Sequence, residues 1–96
     1  MKLRWLTSGS ETLRRHIAFI AADNPAAAVK VRRRIRTTVL RLCQFPESGR
    51  TGHVSGTREL VVSGLPYIVV YRLRENTVEI LRVVHTSMNQ PAGRIQ

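Results

Sequence analysis

Two helical periods meet at a junction with no slack, and that junction limits what the chain can become. Asp23-Asn24-Pro25 separates them. Asn24 is a good N-cap, and Pro25 at the first helical position gives up no hydrogen bond, because that N–H has no partner inside the helix. Downstream, Ala28, Val31, Ile35, Val39 and Leu42 recur at three- and four-residue steps, one face of a helix reaching about Gln44. Upstream, Leu13, Ile17 and Ile20 form the buried stripe of a helix expected from about Gly9 to Ala22. Ser8 and Glu11 have the spacing of a capping box at its start. Helices joined this tightly must fold back as an antiparallel hairpin.

Strand signals flank the hairpin. Leu3 and Trp5 alternate with Lys2 and Arg4, a short first strand. Phe45-Pro46 ends the second helix, and residues 46–57 form one long loop rich in Pro, Ser and Gly. Three further strand-like runs follow, Arg58 to Val62, Tyr67 to Arg74 and Thr77 to His85. Ser63-Gly64-Leu65-Pro66 and Glu75-Asn76 are the turns between them, so the three make an antiparallel meander. The order β-α-α-β-β-β predicts an α+β fold with both helices on one face of the sheet. A chain of 96 residues supports one domain, expected over 1–87, with a flexible tail at 88–96.

Charge narrows the function. Sixteen Lys and Arg face six Asp and Glu, a formal net charge of +10, and fourteen of the sixteen are Arg. Such a field attracts an anionic partner. Arginine favours planar, bidentate contact with carboxylate or phosphate. No apolar run approaches the roughly 20 residues of a membrane span, and the N-terminus has no signal-peptide core, so a cytoplasmic location is expected. Cys43 is a single thiol that can form no internal disulfide; with three scattered histidines it makes a poor metal set, and it is read as a packing residue. No phosphate-binding glycine loop is present, and no cofactor is expected.

Two surfaces exceed what a self-contained domain needs. Along the central strand, Tyr67, Val69, Tyr71 and Leu73 point one way and Ile68, Val70, Arg72 and Arg74 the other. One set packs on the helices. The second is expected to leave an open apolar strip rimmed by arginine, a partner surface. On the second helix, Val29, Leu40 and Cys43 widen the apolar arc, with Arg32 and Arg36 inside it; Lys30, Arg34 and Arg41 cluster opposite and are read as solvated. Phe19 lies off the buried stripe of the first helix. Phe19, Val29, Arg32, Arg36, Leu40, Ile68, Val70, Arg72 and Arg74 are the expected contacts of an acidic partner that docks an amphipathic helix. His85 is the candidate acid–base residue, with Arg72 and Arg82 beside it in a catalytic reading; His53, His16 and Glu59 are weaker candidates.

Several segments resemble a known family. Phe45-Pro46-Glu47-Ser48-Gly49-Arg50 is similar to an FPxxGR segment of ParE-like toxins. Thr57-Arg58-Glu59-Leu60-Val61-Val62, then Gly64-Leu65-Pro66-Tyr67-Ile68-Val69-Val70-Tyr71-Arg72, resembles their C-terminal core. Ala21 to Ala28 resembles their inter-helix junction, and Val83-Val84-His85 their final strand. By this resemblance, over roughly residues 1–87, the chain is identified as a member of the RelE/ParE superfamily, on its ParE-like branch. The resemblance implies the toxin half of a type II toxin–antitoxin pair. It implies a ParD-like antitoxin whose acidic segment folds on the toxin, in a hetero-oligomer that binds operator DNA through the antitoxin. ParE-like members are linked to inhibition of DNA gyrase without chemistry of their own, whereas RelE-like members cleave ribosome-bound mRNA. RelE-like nucleases commonly carry an Arg directly after the first aromatic of the central strand; here Ile68 stands there, and an isoleucine cannot neutralise a phosphate. The family's basic residue after the last strand is also missing, with Thr86, Ser87 and Met88 in that stretch, and this end departs from the pattern of both branches. The expectation is therefore a non-enzymatic gyrase inhibitor. The alternatives are a ribosome-dependent endonuclease using Arg72, Arg82 and His85, and a non-catalytic nucleic-acid-binding module, which the low aromatic content disfavours.

Overall fold

In the computed structural model, residues 1–87 are described; the tail expected at 88–96 lies outside them. The elements are β1 (Lys2–Trp5), α1 (Thr7–Asp23), α2 (Pro25–Leu42), β2 (Arg50–Thr51), β3 (Arg58–Val61), β4 (Tyr67–Arg74) and β5 (Thr77–His85). They form a five-stranded sheet in the order β1-β5-β4-β3-β2, with β1 parallel to β5 and every other pair antiparallel. The α+β fold with a helical hairpin and a β3-β4-β5 meander is as the sequence predicts. The two-residue strand β2 falls inside the expected loop.

The hairpin forms for the local reasons given. The Asn24 side chain accepts the Ala27 N–H at 3.1 Å, and Pro25 opens α2. The start of α1 differs from expectation. The helix begins at Thr7, its N-cap is Leu6, and no side chain caps it. Ser8 is already helical and donates its hydroxyl to the Leu81 carbonyl at 2.6 Å, so the capping box does not form. A tertiary hydrogen bond has taken the side chain that a local one would have used.

The core lies between hairpin and sheet. Ile35, Val39 and Leu42 of α2 pack with Val62, Tyr67, Val69, Tyr71, Val78, Ile80 and Val83, and Leu13 and Ile20 of α1 join from the side. Val69 pairs with Val83 and Tyr71 with Ile80, so Leu81 is an extra residue on β5. This bulge turns Ile80 and Val83, three apart, onto the same helix-facing side and sends Arg82 to the other side. Burying such a core stabilises by about 25 cal/mol per Å2 of apolar surface.

The FPxxGR segment has a physical account. The Tyr71 hydroxyl, fully buried, accepts the Gly49 N–H at 2.9 Å and donates to the Pro46 carbonyl at 2.8 Å. A Cβ on Gly49 would stand 2.6 Å from that hydroxyl, so only glycine allows the approach. The Arg58 guanidinium closes the loop by donating to the Gly49 carbonyl at 2.8 Å.

The strip expected to be open on the far side of β4 is closed. Ile68 is 4% exposed and Val70 is 6% exposed. Val70 lies between Glu59 of β3 and Arg82 of β5, and Ile68 between Val61 and Val84. Arg50 and His53 both bond to Glu59, the β3 residue beside Val70. A second correction concerns Arg34. It is not merely solvated but donates to the Ser63 carbonyl at 2.8 Å, tying α2 to the β3–β4 turn.

Candidate functional site

Register places the charged residues of the far face in rows. Arg4 of β1, Glu79 of β5 and Arg72 of β4 stand side by side. Arg72 donates its Nε–H to Glu79 Oε1 at 2.6 Å, and Arg4 approaches the other carboxylate oxygen at 3.9 Å. The Arg72 hydrogen bond holds the Glu79 carboxyl below its ordinary value. In the next row, Glu59 takes Arg50 Nη2 at 3.1 Å and His53 Nδ1 at 2.9 Å. Burial alone would push the Glu59 carboxyl up, but the hydrogen bonds from His53 and Arg50 outweigh it and the net shift is downward. Glu59 is thus an ion-pair partner in the protein's own framework.

Of the three residues of the catalytic reading, Arg82 and His85 line one groove between α1 and β5, and Arg72 is not among its lining residues. Arg72 and Arg82 belong by register to the far face, yet Arg82, on the part of β5 beyond β1, also borders that groove. His85 pairs with Tyr67 on the helix-facing side, its ring edge-on to the tyrosine at 5.3 Å. The Ser87 N–H and hydroxyl lie 3.2 and 2.7 Å from His85 Nδ1, which accepts and so leaves the ring proton on Nε2. Arg72 is engaged by Glu79. Among the described residues, no three or more His, Cys, Asp or Glu are grouped to hold a metal ion, and no helix is long and apolar enough to cross a membrane. Cys43 is half-buried, and its carbonyl accepts from the N-terminal ammonium at 3.1 Å.

The helices carry the exposed apolar residues. Phe19 is 83% exposed, Val29 54% and Leu40 51%. Arg32 and Arg36 are exposed beside the latter two on α2. The structure therefore brings Val29, Arg32, Arg36 and Leu40 onto one helix face, while Ile68 and Val70 lie beneath the opposite side of the sheet.

Sequence reasoning missed the contact between α1 and β5. Strand β1 ends at Trp5, level with Ile80, so among the described residues the remainder of β5 has no strand on that side. Three α1 side chains four residues apart take its place. Ser8 donates to the Leu81 carbonyl, the Thr12 hydroxyl accepts the Val83 N–H at 2.9 Å, and His16 Nε2 donates to the Val83 carbonyl at 3.1 Å. An otherwise bare strand edge is thereby satisfied by a helix. Burial lowers the His16 pKa from its ordinary value. The His16 ring lies 5.1 Å from the Tyr67 ring, so Tyr67 stands between two imidazoles. The Ser8/Thr12/His16 spacing was visible in the sequence as a polar stripe, but nothing local distinguishes it from a solvated one.

The comparisons with known proteins agree with this architecture. The family model of the ParE toxin of type II toxin–antitoxin systems, parDE, matches residues 3–90. A Sinorhizobium fredii protein named "Putative toxin Y4kP" is 41% identical over 90 residues, 94% of this chain and 93% of its own length. Toxin RelE2 of Caulobacter vibrioides is 33% identical over 69 residues, 72% of this chain and 76% of its own. A chain of the chromosomal ParDE system of P. aeruginosa shares the fold with a TM-score of 0.80 at 24% identity, over 88% of this chain and 95% of that one. A chain of the Mycobacterium tuberculosis RelBE2 toxin–antitoxin complex does so with a TM-score of 0.59 at 22% identity, over the same shares. With its hairpin, meander and FPxxGR lock in place, the chain belongs to the ParE toxin family, within the RelE/ParE superfamily of type II toxins.

Proposed function

We propose that this toxin acts by binding, as an inhibitor of DNA gyrase, and is neutralised by an acidic, ParD-like antitoxin. The observation that carries the reading is that Arg72 is engaged by Glu79 and stands apart from the groove that Arg82 and His85 share. An RNA cleavage site needs a base, an acid and a phosphorane-stabilising cation within reach of one scissile phosphate. Here Arg72 is held by Glu79 and belongs by register to the opposite side of the sheet from His85. Ile68, where nuclease relatives carry Arg, is an apolar residue packed under the far face.

The antitoxin contact falls on the helices. Phe19, Val29 and Leu40 offer apolar area, and Arg32 and Arg36 offer charge for carboxylates of a docked segment. An acidic segment also answers the net charge of +10. Expression of the chain is expected to arrest growth, and co-expression of its antitoxin to relieve the arrest. Purified chain is expected to inhibit supercoiling by gyrase. Cleavage of ribosome-bound mRNA that His85→Ala abolishes would replace this reading with the endonuclease one.

A further inference from the structure

Between α1 and the last residues of β5 lies a groove of about 650 Å3, lined by Arg15, His16, Phe19, Tyr67, Arg82 and His85 among others. That volume is within the usual range of ligand sites and leaves room for several side chains. No Asp or Glu is among its lining residues. Its walls are mostly apolar, through Phe19, Ile20, Val83 and Val84, with the cations set into them. Phe19 stands almost fully exposed, which a residue with only a structural task does not require.

We propose that this groove docks an apolar side chain and a neighbouring carboxylate of an acidic partner peptide. Phe19 and Tyr67 receive the apolar side chain; Arg15, Arg82 and the two imidazoles receive the carboxylate. The inference rests on the reading that an acidic antitoxin covers this toxin, and it adds the place and the chemistry. Charge selects the occupant. The chain's own residues 88–96 contain no acid and one arginine, Arg94, so they do not complement the groove. A second copy carries the same +10 and is repelled.

His16 makes the site sensitive to pH. His16 spends its Nε2–H on the Val83 carbonyl, so protonation adds a donor at Nδ1. His85, Arg15 and Arg82 are its cationic or ionisable neighbours in the groove, from β5 and α1, and Tyr67 of β4 stays neutral. Acidification therefore adds positive charge that only an incoming carboxylate answers.

The test is calorimetric titration of the full chain with the synthetic peptide acetyl-Leu-Glu-Glu-Leu-Leu-Glu-Glu-Leu-amide. Binding is expected, and about threefold tighter near about pH 5.5 than near about pH 7.5. Arg15→Glu with Arg82→Glu should weaken it at least about tenfold. Lys30→Glu with Arg33→Glu, the same charge change elsewhere, should leave it within about twofold under physiological screening. Phe19→Ser, which removes no packed side chain, should weaken binding without changing thermal stability. No binding, equal losses from the two charge pairs, unchanged affinity in Phe19→Ser, or self-association in place of binding overturns the proposal. If an antitoxin still relieves growth arrest while any of these holds, the groove assignment fails and the antitoxin reading stands; if no antitoxin relieves it, the reading itself fails.

Discussion

Arg72 donates its Nε–H to Glu79 Oε1 at 2.6 Å, across neighbouring strands of the face opposite the helices. The pair accounts for an arginine that could otherwise serve chemistry, and it makes the fold sensitive to acid. Both Glu79 and Glu59 have carboxyl pKa values below the ordinary 4.5. A carboxylate with a depressed folded pKa stabilises fully above its unfolded value, and that stabilisation is lost as pH falls through the folded one. The melting temperature should therefore drop as pH is lowered from about 5 toward about 3. Glu79→Gln should flatten part of this drop in a pH series followed by circular dichroism.

The loop lock gives a stability prediction. Tyr71→Phe keeps the ring but leaves the Gly49 N–H and the Pro46 carbonyl without their partner. The expected cost is about 1–3 kcal/mol, measured by urea unfolding. Gly49→Ala drives a methyl against the same hydroxyl and should cost about 1–3 kcal/mol as well. The two share one contact, so the double variant should cost less than the sum.

The helix-sealed edge predicts a local signature. Thr12→Val preserves shape and removes the acceptor of the Val83 N–H. Stability should fall by about 1–2 kcal/mol. Hydrogen exchange at Val83 should accelerate more than at Val69, its partner across the sheet. Uniform acceleration across β4 and β5 would mean that the bond has no local role.

Legibility in the sequence followed distance along the chain. The Asn24-Pro25 junction was readable because capping is decided within three residues. Phe19, Val29 and Leu40 were readable as surplus because helical period alone puts them off the buried face. Ser8 was misread as a cap because its true partner, Leu81, is 73 residues away. Ile68 and Val70 were misread as open because strand alternation gives a side chain's direction but not its cover. The His16–Tyr67–His85 stack joins three elements, and no spacing within any one of them announces it.

The α2 face gives a prediction about the partner. Arg32→Glu with Arg36→Glu should weaken antitoxin binding by at least about tenfold in calorimetry. Arg34 is unsuitable as a control, because it holds Ser63. Lys30→Glu with Arg33→Glu is the matched pair, and it should change affinity by no more than about twofold. Equal losses from both pairs would reduce the contact to general electrostatics.

The most direct test of the account is a gyrase supercoiling assay with purified toxin, run beside a translation extract in which mRNA integrity is followed. The account predicts inhibited supercoiling, intact mRNA, and full inhibition retained by His85→Ala. Intact supercoiling activity together with ribosome-dependent cuts in the mRNA would contradict it.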